Sequence, residues 1–337
     1  MISNATLKEI GKRLFSAESV ILFPHESPDG DSIGSCVALC LALRGRGVDC
    51  CVLIDEPLAE YIGFLDKTAG DETPCCTADR DCISDPQICM FVDCCGDDRI
   101  CGREAKFRSG KESFCIDHHK ISECTEDMYY IDSEEAATTQ IVYALLKECD
   151  VEIERKMANA IFTGLCTDTG NFQYSNTSPK THRIASELLE IGVDHEEIMS
   201  SLYRNVDFRQ IRLESAAVKN IELIGGGQAA LACITQELLR DVGAEPEHAE
   251  NLINVLRDIK GVEIAAVLKE KEPDTTKVSF RAKSRADVCR IAETFGGGGH
   301  VRSSGCTINT DIRTARKRVR QAIERALAAE AEQAREM

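Results

Sequence analysis

The chain has 337 residues, 43% of them hydrophobic and 29% charged, enough for two domains with sizeable cores and against wholesale disorder. Lysine and arginine number 40 against 57 acidic residues, a net charge of −17 that repels long polyanions and excludes tight non-specific binding of duplex DNA or long RNA. Aromatics make up 5% and tryptophan is absent, so a base-stacking platform is also a poor reading.

No run of about 18 apolar residues occurs, so no spanning helix and no membrane partner are expected. The N-terminus, MISNATLKEIGKRLF, lacks the apolar stretch of a secretory signal, and the reading is a cytoplasmic protein. In chain order, residues 6–17 read as a helix and Ser19 to Pro24 as a buried strand. A helix follows over Asp31 to Gly45, then strands at Val48–Ile54, Ile88–Asp93, Ser113–Ile116 and Tyr129–Ile131. Helices come next at about 136–149, 155–167, 179–191 and 195–204. This alternation predicts a parallel α/β sheet with helices on both faces.

Composition shifts near residue 205. Strands at Gln228–Thr235, Glu263–Lys269 and Lys277–Ala282, helices at Glu247–Asp258 and Ala286–Glu293, a strand near Cys306 and a charged helix over 311–334 predict a smaller mixed α/β domain. The expected division is 1–192, a connector at 193–215, and 216–337.

Eighteen cysteines occur, fifteen of them at or before Cys166, but none in a CxxC spacing. With no export signal, a disulfide scaffold is a poor reading. Without that spacing an organised zinc or iron–sulfur site is not indicated. The thiols read as small core residues of a reducing compartment. Oxidation or capture of a soft metal through Cys94, Cys95 and Cys166 stays open as an alternative.

In an open parallel sheet, loops at the carboxyl ends of the strands converge on one crevice. The first strand runs into His25-Glu26-Ser27-Pro28-Asp29-Gly30-Asp31-Ser32, the third ends on Asp93, and the fourth ends on Asp117-His118-His119. A later helix ends on Thr167-Asp168. One such Asp is ordinarily a turn former or helix cap, and Asp31 and Ser32 have that reading open to them. Their coincidence at strand and helix ends favours metal-dependent hydrolysis instead. Asp and His without organised Cys suit a divalent ion of the manganese type, and so many ligands suit two ions clamping a phosphoryl group.

Residues 276–305 hold six basic residues against two acidic ones, a local +4, together with Gly296-Gly297-Gly298-Gly299-His300. A glycine run of this kind lets backbone amides approach a phosphate. The competing reading is an ordinary tight turn with solvated charges.

The segments HESPDGDSIGS (25–35), FVDCCGDDR (91–99), DHH (117–119) and TGLCTDTGNFQYSNTSPKTH (163–182), in that order and followed by GGGGH (296–300), resemble the DHH phosphoesterase family. The resemblance spans residues 17 to 308 and is strongest to its bifunctional oligoribonuclease and adenosine 3′,5′-bisphosphate phosphatase branch. It implies an N-terminal DHH domain and a DHH-associated C-terminal domain. His25 and Asp29 are then implied to hold one ion, and Asp31, His118 and Asp168 a second, with Asp93 bridging. His119 is implied to face the scissile phosphate and Asp117 to orient the neighbouring His. Arg281, Gly298, Gly299 and His300 are implied to bind substrate, and the cleft between the domains to measure its length. The expected activity is manganese-dependent hydrolysis of short oligoribonucleotides and removal of the 3′-phosphate of adenosine 3′,5′-bisphosphate. Hydrolysis of signalling dinucleotides, or non-catalytic nucleotide binding on the same fold, is the alternative. Short RNA and nucleotide bisphosphates are the expected partners, with a homodimer admitted by resemblance alone.

Overall fold

A computed structural model of the chain describes residues 1–67, 74–77 and 83–336, apart from the side chains of His300 and of residues 331–336. Two compact units divide it, Met1–Asn205 and Val206–Met337.

The first unit contains β1 (Ile2–Ser3), α1 (Leu7–Phe15), β2 (Ser19–Phe23), α2 (Gly30–Gly45), β3 (Asp49–Ile54), α3 (Phe64–Lys67), β4 (Cys75–Thr77) and β5 (Ile88–Val92). It continues with α4 (Glu104–Phe107), β6 (Glu112–Asp117), β7 (Met128–Ile131), α5 (Thr138–Glu148), α6 (Arg155–Asp168), α7 (Pro179–Ile191) and α8 (His195–Tyr203). The sheet order is β1-β7-β6-β5-β2-β3-β4, parallel except for the β1–β7 pair. From β2 the chain builds outward through β3 and β4. It then returns to place β5, β6 and β7 on the other side. The strand order therefore reverses at the β2–β5 boundary, where α/β sheets open a crevice at their carboxyl ends.

The strands read as unbroken apolar runs because both faces are covered. Val20, Leu22, Met90, Val92, Phe114 and Ile116 join one core with α1, α2, α5 and α6. Ile21, Phe23, Cys89, Phe91 and Cys115 face a second core closed by Phe107 of α4. Helices lie on both faces, but the long ones all lie on one. Helix α2 is buried on nearly every side, because the sheet covers one flank and α6 the other. That approach requires glycine. A Cβ on Gly34 would sit 2.3 Å from the Ala160 carbonyl oxygen, and one on Gly164 would sit 2.6 Å from Asp31 Oδ1.

The second unit contains α9 (Phe208–Val218), β8 (Glu222–Ile224), β9 (Ala229–Ile234), α10 (Gln236–Val242), α11 (Leu252–Asp258), β10 (Ile264–Glu272) and β11 (Thr275–Ala282). Helix α12 (Val288–Glu293), β12 (Gly298–His300), β13 (Ser303–Ile308) and α13 (Ile312–Glu336) complete it. Its sheet order is β12-β13-β11-β10-β9-β8, with only β9 and β10 parallel. Alternate residues of β9 and β10 pack toward α12 and α13 or toward α9, α10 and α11. Ile312, Ala315, Val319, Ile323 and Leu327 form the inward stripe of α13.

The stretch expected as a connector, 193–215, is largely helical, holding α8 and the start of α9. The units part inside it, after Asn205. The glycine run is not an open loop either: Gly298 pairs with Gly305 and Gly299 with Ser304 along an edge strand. No helix among the described residues is long and apolar enough to cross a membrane.

Candidate metal centre

Four segments deliver the eight Asp and His residues expected at the sheet's carboxyl end, and the structure brings all eight together. Asp29 caps α2, its Oδ1 accepting from the amides of Asp31 and Ser32 at 3.0 Å each. Capping is thus the work of Asp29, and Asp31 is released for another role. Asp31, fully buried, accepts at Oδ2 from the Thr138 amide at 2.6 Å. Its Oδ1 accepts from the amide and hydroxyl of Thr139 at 2.9 and 2.7 Å. The first turn of α5 thereby satisfies its orphan amides without a local cap, since Ala137 at the N-cap has no side-chain acceptor. Thr138 Oγ1 donates to Asp93 Oδ1 at 2.8 Å. Thr138 and Thr139 were not singled out in the sequence. Their only signal there was a helix start preceded by two alanines, with no residue to cap it.

Asp93 follows β5 with φ of +64°, a left-handed conformation that turns its carboxylate into the crevice. His25 Nδ1 lies 2.8 Å from its neighbour's carbonyl, Glu26 O, which leaves Nε2 facing Asp93 Oδ2 at 3.7 Å and Asp29 Oδ1 at 3.9 Å. His118 Nε2 meets Asp168 Oδ2 at 3.1 Å, Asp93 Oδ1 at 3.6 Å and Asp31 Oδ2 at 3.9 Å. Its Nδ1 lies 3.3 Å from Glu135 O. Asp117 Oδ1 accepts from the amide of His119 at 2.9 Å and from its Nδ1 at 2.7 Å, which fixes the orientation of the ring. Three overlapping groups result: His25, Asp29 and Asp93; Asp31, His118 and Asp168; and Asp93, His118 and His119.

The electrostatics explain what such a site requires. Burial, then the neighbouring carboxylates, pushes Asp93 well above the ordinary carboxylate range. Burial raises Asp31, and burial together with the Asp31 charge raises Asp168 to about 7. For His118 burial alone would disfavour the cation, but Asp168 and Asp31 outweigh it and lift the imidazole to about 10. Asp117 goes the other way: burial would raise it, but the His119 hydrogen bonds and the charges of His119 and His118 together outweigh burial and lower it. Three carboxylate oxygens converge on one imidazole nitrogen, and Asp117 Oδ2 is buried without a partner. Protein donors do not neutralise this set. Oxygen and imidazole donors fit divalent cations of the magnesium–manganese type.

In the second unit, Arg281 lies on β11 opposite Ser303 and donates from Nη1 to Phe280 O at 3.0 Å. The local positive charge is partly spent: Arg285 pairs with Glu330 at 3.2 Å and Arg290 with Asp287 at 3.4 Å. Gly298 and Gly299 belong to β12, and the side chain of His300 lies outside the described residues.

Overlapping Asp and His clusters at the reversal point of a doubly wound sheet define a metal-assisted hydrolase of phosphoester bonds. The DHH family N-terminal domain matches residues 19–165, and the DHHA1 domain matches residues 226–329. The chain belongs to the DHH family. It is 30% identical over 308 residues to the bifunctional oligoribonuclease and PAP phosphatase NrnA of Thermus thermophilus, covering 90% of this chain and 89% of that protein. It is 27% identical over 297 residues to the Bacillus subtilis protein of the same name, covering 86% and 90%. Among solved structures, an exopolyphosphatase-related protein from Bacteroides fragilis superposes with a TM-score of 0.88 at 24% identity, over 96% of this chain and 97% of that one. RecJ from Thermus thermophilus, solved in complex with Mn2+, superposes with a TM-score of 0.57 at 12% identity, over 95% and 55%. These structural likenesses establish a shared fold.

Proposed function

We propose that this protein hydrolyses short oligoribonucleotides to mononucleotides and removes the 3′-phosphate of adenosine 3′,5′-bisphosphate, using two divalent ions, manganese foremost. The observation that carries the reading is Asp93: its carboxylate belongs both to the group with His25 and Asp29 and to the one with His118 and His119. Similarity along nearly the whole chain to relatives bearing both activities in their name supports the substrate class.

His25, Asp29 and Asp93 would hold one ion, and Asp93, Asp31, His118 and Asp168 the other. When bound, such ions polarise the phosphoryl group and lower the pKa of water. The remaining roles fall to the chain's own residues. The Thr138 hydroxyl and the α5 amides fix the buried carboxylates of Asp93 and Asp31, so their oxygens are aimed before ligand arrives. Asp117 fixes the His119 ring, and that imidazole would bind a phosphate oxygen and stabilise its developing charge. Arg281, Gly298, Gly299 and His300 of the second unit would hold the phosphate or nucleotide remote from the reacting bond.

The test is one time course with manganese on a 5′-labelled ribodinucleotide, a long RNA, adenosine 3′,5′-bisphosphate, a linear guanine dinucleotide and pyrophosphate, each with an EDTA control. EDTA-sensitive turnover of the ribodinucleotide and the bisphosphate, with the long RNA nearly untouched, is the expected result. Turnover of the guanine dinucleotide or pyrophosphate alone would replace the proposed substrate class.

A further inference from the structure

A second cluster lies in the first unit, outside the carboxylate–imidazole centre. Cys95 follows Asp93 in the turn after β5, Cys115 sits on β6, and Cys124 lies in the loop between β6 and β7. Their sulfur atoms all lie within 4.8 Å of one another. Cys115 is buried, and Cys95 and Cys124 are half-buried. Beside them is Glu126, only 4% exposed. Its Oε2 accepts from Cys124 Sγ and from the Thr125 amide at 3.2 Å each. Its Oε1 is buried with no hydrogen-bond donor, and the nearest cation is Arg108 Nη1 at 3.5 Å. Of the thiols suspected from sequence, Cys95 belongs to this cluster, whereas Cys166 is fully buried and Cys94 is 2% exposed with its sulfur 3.7 Å from Phe23 O.

We propose that Cys95, Cys115, Cys124 and Glu126 form a binding site for a thiophilic d10 cation of the zinc class. Three thiolates and one carboxylate are a complete tetrahedral donor set for such an ion. Around a tetrahedral ion, metal–sulfur bonds of about 2.3 Å set neighbouring sulfurs about 3.8 Å apart, so sulfurs within 4.8 Å of one another need a contraction of about 1 Å at most to close the site. A disulfide would use two of the three sulfurs and leave the buried Glu126 carboxylate without a counter-charge in the cluster. A cation engages all four groups. The set is also chemically distinct from the oxygen and imidazole donors nearby, so the two sites sort ions by softness.

Placement gives the site a role. Cys95 is two residues beyond Asp93, and Cys115 is two residues before Asp117 on the strand that leads to His118 and His119. An ion held here ties the turn bearing Asp93 to the strand bearing Asp117. The cysteines and Glu126 are therefore positioning residues, and touch no substrate. No CxxC spacing announces the site, because its ligands come from three separate segments that only sheet pairing brings together.

The test uses the full chain, reduced, stripped of metal and titrated with Co2+ alone. A thiolate-to-cobalt charge-transfer band reports the sulfur site and is silent on an oxygen–imidazole site. The parent, Asp93→Asn and Cys101→Ser should show that band, saturating in Asp93→Asn at one ion per chain. Cys124→Ser should lose it, and Glu126→Gln should weaken cobalt affinity at least about tenfold, the loss typical of a disturbed ligand shell. Absence of the band in the reduced parent would overturn the proposal. So would an undiminished band in both Cys124→Ser and Cys95→Ser.

Discussion

Asp93 sits at φ +64° directly after β5, with its carboxylate buried beside Asp31, Asp29, Asp168 and Asp117. A left-handed backbone costs a non-glycine residue roughly 1–2 kcal/mol, and Asp and Asn tolerate it best. Asp93→Asn therefore keeps the turn and removes the charge. We expect kcat/KM to fall by about 10³ or more, since metal-assisted charge stabilisation is worth several kcal/mol. Metal-free thermal stability should hold or rise, because a buried like charge is gone. Circular dichroism melts with EDTA, beside steady-state kinetics with manganese, check both halves. The same crowding sets a pH dependence. Burial and the Asp31 charge raise Asp168 to about 7 in the fold against an ordinary 3.8, and the surrounding carboxylates raise His118 to about 10 against an ordinary 6.5. Both folded values are raised, so each favours the fold below its unfolded value and loses that contribution as pH rises through the folded one. In EDTA the melting temperature should thus decline from pH 5 to pH 9. Asp168→Asn should flatten the decline, and a steeper decline in that variant would contradict the assignment.

Helices α2 and α6 must approach closely for Asp31 and Asp168 to meet, and Gly34 sets that distance. A methyl there collides with the Ala160 carbonyl, a backbone atom that cannot rotate aside. Gly34→Ala should cost about 1–3 kcal/mol, as overpacking does, and weaken metal binding by displacing Asp31. Gly45, at the end of the same helix, has nothing within 4 Å of its Cβ position. Gly45→Ala should instead stabilise by about 0.4–1 kcal/mol. Paired melts, with a metal titration of the first variant, separate a packing effect from mere helix propensity. Most long elements of both units were legible in the sequence because their apolar runs and helical stripes are strong; α9, whose eleven residues fall mostly in the expected connector, was not. Nor were the short ones, β1, α3, α4, α10, β4, β8 and β12. A three-residue edge strand carries almost no periodic signal, and the β12–β13 pairing that orders Gly298 and Gly299 is a long-range contact.

A chain of net charge −17 that acts on anions must gather positive charge locally, and cations at the carboxylate centre are one source. The basic segment of the second unit is the other source we propose. His300→Ala should raise KM for every active substrate while leaving kcat near the parent value, the signature of lost uniform binding. An unchanged KM would remove the glycine-run segment from the binding surface. Charge, the ordered Asp and His segments and the α/β alternation were all determined by sequence alone. They are local in the chain, and each strand's end could be read from where its apolar run stops. Tertiary structure alone decided which Asp caps a helix and which is freed to bind, that Thr138 and Thr139 hold Asp31 and Asp93, and that Cys95, Cys115 and Cys124 meet. Those outcomes depend on strand order and on the approach of α2, α5 and α6. Pairing between segments tens of residues apart sets them, and no spacing along the chain records it.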